Sequence, residues 1–117
     1  MGQGIAVLRG RLPPPAARPT ELLDEGDGRQ VLRGALVFST ARAAHGAGCR
    51  VIRNGTADLT FDCAGLVAAD SAGVAVLLDW LAAARQRGRR LRYTALPDSV
   101  RAIARISEVE ALLDAGV

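Results

Sequence analysis

Ser71 lies in Ala69-Asp70-Ser71-Ala72-Gly73, which has the A-x-S-x-G spacing of a nucleophile elbow, where a strand-to-helix turn presents a serine hydroxyl for acyl transfer. Such a serine needs a general base that is itself oriented by an acid. The sole histidine, His45, precedes Ser71 in a glycine-rich stretch instead of following it, and the chain is short for a hydrolase with a substrate pocket. The segment therefore reads as a binding element. Asp70 or Ser71 can cap the helix that follows, the free N–H groups of that helix favour an anion, and Ala68, Ala69, Ala72 and Gly73 are small enough to let another backbone approach.

Other constellations point away from catalysis. There is no G-x-x-x-x-G-K-[ST] loop and no lysine at all, which argues against an intrinsic NTPase. Cys49 and Cys63 are 14 positions apart with no C-x-x-C spacing or histidine cluster, so neither zinc nor redox chemistry is indicated and both read as small buried residues. Asp58 and Asp62 read as strand-end or edge charges. No cofactor is implied. Trp80 lies one helix step off an apolar stripe, which makes it either a flank of the core or a surface anchor for a partner. The expected site is thus Asp70, Ser71, Ala72 and Gly73, with Trp80 as the anchor.

The elements that must position these residues follow from periodicity. Thr20–Asp24 and Gln30–Arg33 flank Glu25-Gly26-Asp27-Gly28 and predict a β-hairpin. Gly34 permits a bend before an extended piece at Ala35–Phe38, and Ser39 or Thr40 then caps a weak helix from Ala41 to about Cys49. Leu59, Phe61 and Cys63 alternate as one face of a strand over residues 58–63, followed by a small-residue loop. Val74, Leu77, Leu78 and Leu81 form the stripe of a helix over residues 72–87, with Gly88 as its C-terminal stop. Residues 90–95 alternate again. Leu96-Pro97 opens a helix with Val100, Ile103 and Ala104 inward, and Ser107-x-x-Glu110 predicts a capping box for a last short helix. Two strands joined by a helix of about 16 residues make a parallel crossover beside the hairpin, hence an α/β fold with a mixed sheet.

Composition sets the limits. The chain has 117 residues, half of them hydrophobic, enough for one core and too apolar for a disordered chain. With one Trp, one Tyr and two Phe, that core is expected to be aliphatic. The net charge of +3 is uneven: residues 1–57 carry eight Arg and four acids, residues 58–117 seven Arg and eight acids. The one basic cluster, Arg85 to Arg92, reads as a solvated helix end favourable to the helix dipole, so a nucleic-acid partner is not expected. No apolar run reaches membrane-spanning length, and the N-terminus has no signal-peptide pattern, which predicts a cytoplasmic protein. Pro13-Pro14-Pro15 and Pro19 mark residues 1–19 as a flexible arm, leaving residues 20–117 as the folded domain.

The combination of a hairpin start, a strand, Asp70-Ser71-Ala72-Gly73 opening a long aliphatic helix, Leu96-Pro97, and Ile103-Ala104-Arg105-Ile106-Ser107 resembles the STAS domain, named for sulfate transporters and anti-sigma factor antagonists. The resemblance implies a mixed sheet of four to five strands flanked by helices. In anti-sigma antagonists of the family a partner kinase phosphorylates the Ser or Thr after the Asp, which corresponds to Ser71. The segments Leu77-Leu78-Asp79-Trp80-Leu81 and Ala84-Arg85-Gln86-Arg87-Gly88 are more similar to the MlaB-type branch, the small cytoplasmic subunit of a phospholipid ABC transporter. That branch implies a non-catalytic subunit docked on the transporter's ATPase and associated with the membrane only through that complex. The alternative implied partner is an anti-sigma factor serine kinase.

Overall fold

Asp27 and Gly28, both with positive φ (55° and 78°), make the two-residue turn that an Asp-Gly pair favours, and they join β1 (Glu21–Gly26) to β2 (Arg29–Leu36) in an antiparallel hairpin. A side chain at position 28 would run into the Asp58 carbonyl, so the turn also seats the hairpin on the next strand. The computed structural model describes residues 18–117; most of the expected proline-rich arm lies outside the described residues.

β2 shifts register at Gly34 (φ 91°) and ends at Leu36, and Phe38 opens a helix where an extended residue was expected. This helix, α1 (Phe38–Arg53), is 16 residues long and extends beyond the expected span at both ends. Its start is fixed by Thr40 from inside the first turn: the hydroxyl accepts from the Val37 N–H at 3.0 Å and donates to the Ala35 carbonyl at 2.7 Å. Its two glycines do not break it because packing outweighs propensity, and Gly48 leaves the room that the Trp80 indole occupies.

β3 (Leu59–Ala69) has 11 residues, and the expected loop after Cys63 is its second half. Main-chain pairing supplies what side-chain alternation does not: residues 65–69 continue the parallel ladder with β2, and Gly65 fits because a Cβ there would lie 2.6 Å from that of Arg33. α2 (Ser71–Gln86) follows and stops as predicted at Gly88 (φ 67°), where the Gly88 and Arg89 N–H groups donate to the Arg85 and Ala84 carbonyls at 3.0 and 2.9 Å. β4 (Leu91–Thr94) lies parallel to β3.

Pro97 precedes α3 (Asp98–Ile106), and α4 (Glu110–Ala115) closes the described chain. The expected capping box is absent: Ser107 ends α3 with its N–H on the Ile103 carbonyl, and Glu110 pairs with Arg101 and Arg105. The sheet order is β1-β2-β3-β4, antiparallel once and parallel twice, which is the expected mixed α/β architecture with four strands among the described residues.

The core corrects the aliphatic expectation. Phe61 stands at its centre, edge-on to Trp80 (5.4 Å between centroids) and Tyr93 (6.0 Å), with Leu32, Leu77 and Leu91 around them. The basic cluster is corrected too. Arg89 is only 6% exposed: Nε donates to the Ala57 carbonyl, and Nη1 to those of Val51 and Ile52 in the last turn of α1. A buried cation thus terminates α1, where the helix dipole favours one. Among the described residues no helix is long and apolar enough to cross a membrane.

Candidate functional site

The strands β2 and β3 end side by side at Leu36 and Ala69, so the helices that follow them, α1 and α2, begin side by side. Asp70 lies between the two starts and serves both. Its Oδ1 accepts from the Gly73 N–H at 3.1 Å and its Oδ2 from the Phe38 N–H at 3.0 Å. One carboxylate therefore satisfies an orphan donor on each helix and places its negative charge where both dipoles are positive.

Of the five expected site residues, the structure brings Asp70, Ser71, Ala72 and Gly73 to this corner and removes Trp80 from it. Ser71 is the first residue of α2 and is exposed; Ala72 is half-buried. Gly73 is buried against β2, where a Cβ would strike the Leu36 carbonyl, so the close approach its size permits is to the chain's own backbone. Trp80 has no exposed surface, and its indole N–H donates to the His45 carbonyl at 3.1 Å. The anchor reading of Trp80 gives way to a core residue.

The residue that sequence reasoning missed is Phe38. It is one of two phenylalanines, it stands next to Asp70, and 83% of it is exposed. Its only sequence signal is its place just before Ser39 and Thr40, which mark a helix start and so put Phe38 on the rim of that end. Ser71 and Phe38 together present a hydroxyl and an apolar ring on either side of a fixed carboxylate.

His45 takes no part in this corner. Its Nε2 lies 3.4 Å from Asp79, about two helical turns beyond Ser71, and 3.6 Å from the Cys49 sulfur. Cys49 is half-buried, whereas Cys63 is fully buried; burial, with a smaller contribution from the charge of Asp62, pushes the Cys63 thiol up to about 12. Asp62 sits on the open face of the sheet and accepts from Arg29 at 2.7 Å.

Solved structures include a similar one, an anti-sigma factor antagonist, SpoIIAA, in its unphosphorylated form. It is 19% identical, superposes with a TM-score of 0.63, and the match covers 79% of this chain and 83% of that one. No curated protein matches this chain. Residues 23–114, which contain every element from β2 to α3 and all of the Asp70 corner, match the family described as Mlab, STAS domain, and the chain belongs to that family of protein-interaction domains.

Proposed function

We propose that this domain is a non-catalytic, cytoplasmic binding subunit whose Asp70 corner docks on the ATPase subunit of an Mla-type phospholipid ABC transporter, supporting its assembly or activity. The observation that carries this reading is the pairing of exposed Ser71 with 83%-exposed Phe38 around a carboxylate whose two oxygens each accept a helix N–H. The family name Mlab supports the choice of this transporter as partner. An exposed aromatic beside small polar groups is the composition of a binding hot spot; the Asp70 carboxylate is taken up by two backbone N–H groups, and His45 lies beside Asp79, away from Ser71.

A second reading is supported by the exposure of Ser71 at the first position of α2 and by the likeness to an anti-sigma factor antagonist described in an unphosphorylated form. Here a partner serine kinase phosphorylates Ser71. The added charge of about −1.5 to −2 stands beside Asp70, whose oxygens already occupy nearby N–H donors, so its effect falls on the docked protein.

Co-purification with the transporter ATPase separates the readings. Phe38→Ser and Ser71→Glu are expected to lose the ATPase, Phe38→Ser by about 2 kcal/mol or more, while Ser71→Ala retains it. Retention by both of the first two variants would reject the transporter surface. ATP-dependent phosphorylation by an anti-sigma kinase that is lost in Ser71→Ala would establish the second reading instead.

A further inference from the structure

At the end of the sheet opposite Ser71, a cavity of about 550 Å³ opens between the β1–β2 hairpin and the last turns of α1. Its volume lies within the roughly 300–1,000 Å³ of small-molecule sites. Two buried polar side chains line it, and the fold leaves both with unused capacity. Gln30 projects inward in phase with Leu32 and is 5% exposed, and its side-chain amide makes no hydrogen bond to the described residues; no unpartnered side-chain nitrogen or oxygen there is wholly buried, so the amide opens onto the cavity. Arg89 spends Nε and Nη1 on three carbonyls, while among the described residues Nη2 has no acceptor and no carboxylate lies within ion-pairing distance of the guanidinium.

Polar groups that open only onto a cavity take their partners from what fills it, water or ligand, and a largely buried cation ordinarily has a counter-charge. The end of α1 contributes only about half a charge. Arg50 and Asn54, in the last turn and C-cap of α1, add further donors at the mouth of the cavity. The hairpin wall opposite carries Asp24 and Asp27, which are acceptors. A bare polyanion would meet those acids; a ligand with an anion at one end and donors at the other would satisfy both walls.

We propose that this cavity binds a small metabolite that carries one oxyanion together with hydroxyl or amino groups. The oxyanion sits against Arg89, Arg50, Asn54 and the Gln30 amide, and the donor groups face Asp24 and Asp27. Arg89 offers Nη2 alone, whereas the Arg50 guanidinium can grip an oxyanion with two N–H groups, and such recognition accepts phosphate and carboxylate alike, so the oxyanion chemistry is shared between two sources.

The test is an NMR titration of the whole chain with glycerol 3-phosphate, glycerate and inorganic phosphate, each at constant ionic strength held with sodium chloride. Saturable shifts of the Gln30 and Asn54 side-chain amides and the Arg89 Nε–H are expected, with inorganic phosphate weaker than the better of the two polyol ligands. Glycerol 3-phosphate binding more tightly assigns a phosphate, glycerate a carboxylate. Gln30→Leu and Arg50→Ser should each weaken that ligand by about tenfold at an unchanged melting temperature, since one loses an unpaired amide and the other an exposed side chain. The proposal is overturned if none of the three ligands gives saturable shifts, if sodium chloride alone reproduces them, or if both variants bind as wild type does.

Discussion

Asp70 and Trp80 illustrate how differently two residues of one helix are specified. Asp70 acts through atoms that any helix start offers, so its capping role is legible from its place before Ser71-Ala72-Gly73. Trp80 is decided by a residue 32 positions away: Gly48 leaves a gap on α1, and the indole fills it. Sequence periodicity shows that Trp80 borders the stripe but not which surface faces it. Gly48→Ala should therefore destabilise the protein by about 1–3 kcal/mol through overpacking, although alanine is the better helix former. In a Trp80→Phe background, where the smaller ring vacates that space, the same change should become near neutral. Urea unfolding of the four proteins checks this, and an equal cost of Gly48→Ala in both backgrounds would contradict it.

At the scale of elements, α2 and its stop at Gly88 were readable because the stripe, the cap and the glycine agree. The two elements misjudged in length, α1 and β3, depend on partners remote in the chain. α1 has weak glycines within and borrows its terminus from Arg89, and the second half of β3 is small and without alternation, held by its ladder with β2. Arg89 itself sits in a run of arginines and has no local mark to separate it from exposed Arg90. Arg89→Met should strand the Val51, Ile52 and Ala57 carbonyls and cost about 3 kcal/mol or more, whereas Arg90→Met should stay within about 0.5 kcal/mol. Denaturant midpoints for the two variants measure the contrast, and equal midpoints would remove Arg89 from the role of α1's terminator.

For the whole molecule, the buried acids in the core set an alkaline limit. Burial raises Cys63 from 9.0 to about 12 and holds Tyr93 well above 10.0, so above pH 9 the unfolded chain loses protons that the folded chain keeps. The folded state then binds more protons, and stability falls as pH rises, by about 1.4 kcal/mol per pH unit from Cys63 alone until its folded value is reached. Thermal melts from about pH 8 to about pH 11 should show the decline starting near the unfolded thiol's value. Cys63→Ala should delay it until Tyr93 contributes; an unaltered profile in that variant would assign the decline to other groups.

The order of strands in space is also their order in the chain. Among the described residues no strand has to be inserted between two that are already joined, and each newly made strand finds its neighbour's edge. Of these connections the tight Asp27-Gly28 turn closes at the smallest entropic cost, and each of the others spans a single helical crossover. Assembly can proceed from the β1–β2 hairpin outward, each new edge being covered in turn, and at β4 the Val117 N–H bonds to the Leu91 carbonyl, so the segment after α4 takes up part of that border.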